Sequence, residues 1–378
     1  MSRFAFRRDQ LRKRVASAGA NAILITNPIN VSYLTGFTGD DSYLIVDLDG
    51  GLFLSDPRYE EQIAMECFGE QDARGSKTPS HLEVWIRKPG ELLMDVTCQK
   101  LRRSGYDSIL IEGDYLSVNM HRQLSEHSGV RDLIVGDGEV EALRVIKDSL
   151  EIETLRRAVE LAERVFTSVR SQLTRRLSEL DVANEIDRLV RKLGGSGCSF
   201  PPIVAVGARA ALPHARSGRQ LIGSSPFLLV DWGATLEGYR SDLTRVVMTS
   251  KIPAKFGRVY ETVLAAQQAA IAAMKPGVLV SEIDSIARDV IHRAGMGKRF
   301  NHGLGHGIGL AIHEAPRLGK NQDRPLEPGM VVTVEPGVYY PGFGGVRIED
   351  DVLITNQGCE LLSTLPREME ANQVQLLD

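Results

Sequence analysis

FLLVDWGATLEGYRSDLTRVV, Phe227 to Val247, is the stretch from which the fold can be read. Two apolar, β-branched runs, Phe227 to Trp232 and Leu243 to Val247, flank a short polar connection, which is the pattern of a β-hairpin. With Thr235 to Gly238 as the loop, and Gly238 supplying a positive φ, Asp231 falls directly opposite Asp242. Opposed residues on one face lie roughly 4.5 to 5.5 Å apart at Cβ, where like charges repel. Two aspartates held that way need a cation, or one must be protonated. A different register, with both side chains in solvent, is the reading that the hairpin alone leaves open.

The design recurs downstream. Val331 to Val334 reads as a strand ending at Glu335 and Pro336-Gly337, and Gly345 to Ile354 returns as another. On the returning strand Val346 and Ile348 face one side, Arg347 and Glu349 the other. Taken alone, Glu335 reads equally well as a surface residue at a strand end. Between the hairpins lies NHGLGHGIGLAIH, Asn301 to His313, with three histidines among glycines. Glycine-rich phosphate cradles open a helix, whereas Gly309 to His313 reads as a short apolar strand, so the stretch suits a polar site built on sheet. The glycines are expected to let three imidazoles crowd one place. Asp231, Asp242, Glu335 and Glu349 with His306 are a ligand supply for two divalent ions. Metals roughly 3.5 to 4 Å apart activate water and polarise a carbonyl, which suits amide hydrolysis. A mostly oxygen set without thiolate favours Mn²⁺ and leaves Zn²⁺, Co²⁺ and Fe²⁺ open.

Helices frame each hairpin. Asp148 with Glu151 three residues on is a capping-box start, and Ile152, Leu155, Val159, Ala162, Val165 and Phe166 keep helical spacing. Ser178-Glu179-Leu180-Asp181 heads a further amphipathic helix, and Ser281-Glu282-Ile283-Asp284 heads its counterpart, each after a long helix. Helix pair plus acidic hairpin, twice, is an internal repeat. Upstream, a basic amphipathic helix through Val15 precedes Ala22 to Ile25, Tyr43 to Val46, Leu52 to Leu54 and Ile109 to Ile111, short apolar runs of a mixed α/β domain. The expected domains are therefore 1–140 and 148–378. His81, His121 and His127 stand alone in polar contexts and read as surface residues.

The bulk numbers agree with this division. At 378 residues the chain exceeds one ordinary core, and 43% hydrophobic with 25% charged residues is a globular composition. A net charge of -4 gives no footprint for nucleic acid or an anionic membrane. The four cysteines are far apart and read as reduced, buried thiols. The basic N-terminus has no apolar segment behind it, and the expected location is cytoplasmic.

These segments resemble the pita-bread-fold metallopeptidases: aminopeptidase P, prolidase and methionine aminopeptidase, with creatinase as a metal-free relative. VDWGATLEGYRSDLTR resembles the family's two-aspartate segment, NHGLGHGIGLAIHE its histidine segment, and VVTVEPGVYYPGFGGVRIEDD its two-glutamate segment. The resemblance implies an α/β (α+β) chain, with a creatinase-like N-terminal domain and a pita-bread catalytic domain of pseudo-twofold symmetry. It also implies that Asp231 binds one metal, that His306 and Glu335 bind the other, and that Asp242 and Glu349 bridge both. His214, in Ala211-Leu212-Pro213-His214, matches a histidine near the substrate. His302 and His313 match two that hydrogen-bond substrate or stabilise its tetrahedral intermediate. Arg347 matches an arginine that orients the carboxylates, although a purely structural role suits it as well. NPINVSYLTGFTGDDSYLIVD and LFLSDPRYEEQ resemble the creatinase-type N-domain, which argues against methionine aminopeptidase and implies a homodimer or higher homo-oligomer. One departure is Pro201-Pro202, where the family more usually carries an acidic-polar pair on the substrate wall.

The expected activity is metal-dependent hydrolysis of the bond before proline in peptides with proline at the second position. Glu335 or Glu349 is the expected proton carrier. Aminopeptidase P is the leading reading and prolidase the alternative. A creatinase-like C–N hydrolase would dispense with these ligands, and a non-catalytic pita-bread binding protein would show a broken set with charged extensions; this chain has all five.

Overall fold

The computed structural model describes residues 2–68 and 82–377, so His81 lies outside the described residues. Two compact units divide the chain, Met1–Arg144 and Val145–Asp378.

The first unit is a mixed sheet with helices. Its helices are Arg3–Ser17 (α1), Pro28–Thr35 (α2), Glu60–Phe68 (α3), Leu93–Ser104 (α4), Val118–His127 (α5) and Glu139–Arg144 (α6). Its strands are Ala22–Ile25 (β1), Ser42–Asp47 (β2), Gly51–Ser55 (β3), Leu82–Ile86 (β4), Ser108–Glu112 (β5) and Asp132–Gly136 (β6), in the order β4-β3-β2-β1-β5-β6. The apolar runs read from the sequence are its strands. Leu24, Ile45, Leu54, Ile109 and Ile111 pack with Met94, Leu101 and Leu124 in one core. Arg7 and Arg8 of α1 are buried where they donate to Tyr33 O and Leu34 O, carbonyls in the last turn of α2. His121 and His127 are exposed.

In the second unit, α7 (Ser149–Arg170) starts on the expected capping box at Asp148, and α8 (Glu179–Lys192) on one at Ser178. Such a cap is worth about 1 kcal/mol. There follow β7 (Gly197–Cys198), β8 (Ile203–Val206), β9 (Phe227–Trp232), β10 (Ala234–Leu236), β11 (Tyr239–Arg240) and β12 (Leu243–Met248). The second half repeats the plan with α9 (Ala254–Ala273), α10 (Val280–Arg293), β13 (Gly305–Gly307), β14 (Glu314–Leu318), β15 (Val331–Val334), β16 (Gly337–Tyr340), β17 (Gly344–Arg347), β18 (Asp350–Ile354) and β19 (Cys359–Leu361). Sheets β12-β9-β8 and β14-β13-β15-β18-β19 carry helix pairs on their two faces. Phe227 and Leu229 pack with α9 and α10, whereas Leu228, Val230 and Trp232 pack with α7 and α8. Strands buried on both faces explain why the runs are continuously apolar instead of alternating.

Several expectations need correction. α10 begins at Val280 with Leu279 as its cap, so Ser281 lies inside the first turn. The cap is dispensable because Val280 N donates to Arg324 O and Leu279 bridges Pro325. In the first hairpin the turn is Glu237-Gly238, with φ of 50° and 83°, and Leu236 pairs with Tyr239. The loop is thus two residues shorter than expected, and Asp231 lies opposite Thr244, not Asp242. A two-residue shift preserves the face, so both aspartates still point the same way. The second hairpin has the opposition instead: Val334 pairs with Asp350 and Gly337 with Arg347, and that register sets Glu335 opposite Glu349. The returning strand is not continuous but breaks between β17 and β18, at Ile348 and Glu349.

Candidate active site

Each hairpin breaks where its acids stand. Asp231 is the penultimate residue of β9, Asp242 lies between β11 and β12, Glu335 between β15 and β16, and Glu349 between β17 and β18. An antiparallel bridge from Thr244 to Glu349 joins the two hairpins there, with Glu349 N donating to Thr244 O over 3.2 Å. The fully buried Arg245 locks this junction by donating to Thr244 O, Glu349 O and the carboxylate of Asp350.

The expected strand at Gly309 to His313 does not form; Gly305–Gly307 is the strand, and a loop follows it up to Glu314. The glycines also serve a different end. A Cβ at Gly305 would sit 2.0 Å from Thr333 O, and one at Gly307 would sit 2.2 Å from Ala315 O. They let β13 press between its neighbours so that His306 reaches the carboxylates.

Ligand atoms of Asp242, His306 and Glu349 all lie within 4.8 Å of one another. His306 Nδ1 stands 3.0 Å from Gly307 O, an acceptor only, and therefore carries the proton. Nε2 is left with its lone pair facing Asp242 Oδ2 at 3.7 Å and Glu335 Oε1 at 3.5 Å. A lone pair and carboxylate oxygens converging on one point is a donor set for a cation. Asp231 fits as well: Oδ2 pairs with Arg347, while Oδ1 is buried with no hydrogen-bond partner among the described residues.

The electrostatics say the same. Burial raises the carboxyl of Asp242 well above its usual range, and Glu349, Asp231, Asp351 and Glu335 push it further. Burial also raises Glu349 and Asp231, against the pull of Arg347. Glu335 is pushed up to about 8 by burial, Arg347 opposing and Asp231 adding. The imidazole of His306 is depressed to about 4 by burial, so it is neutral and able to ligate. Without a cation the four acids hold protons more tightly than ordinary carboxyls do, and divalent ions would compete with those protons.

The remaining expected residues surround this centre. His302 Nδ1 donates to Gly303 O at 2.8 Å, which leaves Nε2 to accept from Tyr339 Oη at 2.9 Å; Tyr339 Oη in turn accepts from Arg347 Nη1 at 2.9 Å. Burial depresses His302 to about 4. His313 is exposed, its ring centre 4.4 Å from that of His306. His214 is exposed where it lines the cleft, and Pro201 and Pro202 lie on the cleft wall. The cleft encloses about 1690 Å³ and is bounded by one face of α8, Leu180 to Arg191, besides the residues above.

Sequence reasoning missed Tyr339, Thr244, Thr333 and Asp351. Thr244 Oγ1 donates to Glu349 Oε2 at 2.6 Å, Thr333 Oγ1 accepts from His306 N, and Asp351 Oδ2 accepts from Asp242 N. Their signal was parity. Tyr339 pairs with Gly345 and so shares a face with Arg347, and Thr244 stands two residues beyond Asp242. The cysteines are all free, but only Cys98 is fully buried.

Residues 153–356 match the metallopeptidase family M24, and residues 7–146 match the creatinase/prolidase N-terminal domain. The Xaa-Pro dipeptidase of Pyrococcus furiosus is 36% identical over 366 residues, 96% of this chain and 99% of the relative. Among solved structures, the Xaa-Pro dipeptidase from Bacillus anthracis superposes with a TM-score of 0.90 at 35% identity, covering 97% of this chain and 99% of that one. The X-Pro aminopeptidase from Thermotoga maritima MSB8 superposes with a TM-score of 0.83 at 35% identity, covering 94% and 99%. An acidic pair on each half of a pseudo-symmetric sheet, a neutral histidine between them and these matches lead to one conclusion: the chain belongs to metallopeptidase family M24, with the pita-bread fold and a creatinase-type N-terminal domain.

Proposed function

We propose that this protein is an Xaa-Pro peptidase that cleaves the bond before a proline at the second position of a peptide. The observation that carries the reading is the convergence of Asp242, His306 and Glu349 within 4.8 Å inside a large cleft. The similarity to Xaa-Pro dipeptidases and an X-Pro aminopeptidase supports the specificity. Asp231, Asp242, His306, Glu335 and Glu349 would hold two divalent ions, with Asp242 and Glu349 shared. When bound, such ions supply a nucleophile at neutral pH and polarise the scissile carbonyl.

The chain's own residues do the rest. Arg347 and Thr244 fix the orientations of Asp231 and Glu349 through the contacts described. Exposed His313 offers a hydrogen bond to the substrate carbonyl as charge develops on its oxygen, while neutral His302, whose one N–H goes to Gly303 O, lines the substrate side and holds the Tyr339 hydroxyl. Glu335 or Glu349 passes the proton to the leaving amine. His214 contacts the peptide at the cleft's edge.

An aminopeptidase P type activity fits the cleft, whose volume exceeds the 300–1,000 Å³ usual for small ligands and leaves room beyond a dipeptide. A dipeptidase reading is favoured by Arg317, which pairs in register with His306, is exposed, lines the cleft and has no ion-pair partner among the described residues. It suits the carboxylate of a dipeptide. Manganese is proposed on the oxygen-rich donor set, a homodimer or higher homo-oligomer on the N-terminal domain, and a cytoplasmic setting on the free thiols. The deciding experiment compares Ala-Pro with Ala-Pro-Ala under added Mn²⁺. Turnover of both supports aminopeptidase P, strict preference for the dipeptide transfers the assignment to prolidase, and turnover of neither overturns the peptidase reading.

A further inference from the structure

His313 is carried by a loop, not a strand, and a loop holds a catalytic group only if something fixes it. Two side chains anchor this loop, one from each flank. Arg240, between the two aspartates of the first hairpin, donates its backbone N–H to Gly309 O at 2.9 Å and its Nε to Leu310 O at 3.2 Å. From the other side Glu314, the residue after His313, accepts from Ala311 N through Oε1 at 3.0 Å. Its second oxygen meets Lys147 Nζ at 3.1 Å, and these two side chains are only 6% and 1% exposed. Lys147 is itself fixed at the head of the catalytic unit, its N–H donating to Gly329 O at 2.9 Å.

A buried ion pair is an expensive way to hold two segments together, and an apolar pair of similar volume often does as well. What an apolar pair cannot do is hold the Ala311 N–H. Gly309 shows how closely the carboxylate is fitted: a Cβ there would lie 2.7 Å from Glu314 Oε2. We infer that Lys147 and Glu314 are a positioning pair for the 309–313 loop, setting the approach of His313 to the substrate. The inference rests on the proposed substrate-side role of His313. Lys147 touches no ligand of the metal centre; it acts on Glu314, Glu314 on the loop, and the loop on the histidine.

The test is a double-mutant cycle on kcat for an Ala-Pro substrate, with metal content and thermal midpoint measured for every variant. Lys147→Met is expected to lower kcat about tenfold or more with KM changed less than threefold and with metal content unaltered. Lys147→Arg should restore most of the loss. In a His313→Ala background, Lys147→Met should change kcat by less than about twofold, because the group it positions is gone. Gly309→Ala, which pushes the carboxylate while keeping both charges, should give the same pattern, and it alone decides if Lys147→Met does not fold. Losses that multiply in the double variants overturn the positioning pair while leaving the reading of His313 intact. A His313→Ala enzyme with unchanged kcat overturns that reading, and the pair with it.

Discussion

Tyr339 accepts from a guanidinium and donates to a neutral imidazole, so Arg347, Tyr339 and His302 form one directed chain of hydrogen bonds ending on Gly303 O. Removing the hydroxyl strands a buried Arg347 donor and an imidazole acceptor, each costing about 1–3 kcal/mol. Tyr339→Phe should therefore lower kcat about tenfold while metal content, read by elemental analysis, stays unchanged; equal activity would remove Tyr339 from the site. The ligands behave differently. If each carboxylate is shared as proposed, Asp242→Ala or Glu349→Ala should abolish binding at both metal positions, whereas His214→Ala should spare the metal and lower turnover. An Asp242→Ala enzyme titrating two ions would refute the bridging role. At this scale the clustering of Asp242, His306 and Glu349 was legible because a cation site draws on carboxylates and imidazole. Tyr339 was not: of the adjacent tyrosines 339 and 340, only the pairing with Gly345 tells which faces Arg347.

The two hairpins meet at one backbone bridge, and Arg245 is the side chain that holds it. It is fully buried, and besides Asp350 it donates to four backbone carbonyls, those of Thr244, Glu349, Leu365 and Pro366. Breaking a buried pair of this kind costs up to about 3–5 kcal/mol, and here, among the described residues, it leaves Asp350 with only Arg367, its Nε at 4.0 Å, as a counter-charge. Arg245→Met should lower the urea midpoint accordingly, whereas Ser178→Ala, which removes a helix cap, should cost about 1 kcal/mol. A loss at Arg245 no larger than that at Ser178 would show that the junction is held otherwise. The elements themselves were legible, since apolar runs and capping boxes are local signals. Register and breaks were not. The Glu237-Gly238 turn places a glutamate at positive φ, which composition does not announce, and Ala311's N–H bond to Glu314 replaces the strand pairing that the apolar residues suggested.

At the scale of the whole chain, two units and an internal repeat were readable from the order of helices and hairpins, but the breadth of the cleft depends on how long segments pack, which no local pattern encodes. The centre's effect on the catalytic unit's stability follows from its buried charge. In the metal-free protein Glu335 has its pKa raised from 4.5 to about 8, with Asp231, Asp242 and Glu349 raised as well. Between about pH 4.5 and 8 the folded protein then holds protons that the unfolded chain has released, and stability falls as pH rises through that window. Metal reverses the sign, because deprotonated ligands bind it best and binding favours only the folded state. At a free ion concentration of 100 times Kd this adds about 2.7 kcal/mol, or roughly 5–10 °C in Tm for a unit of this size. Chelation should thus lower Tm more at pH 8 than at pH 5.5, and the chelated protein alone should melt at a lower temperature as pH rises across that range. A gap between loaded and chelated protein that stays constant or narrows with rising pH would mean that protons and metal do not compete for these four carboxylates, and the centre would have to be rebuilt from other residues.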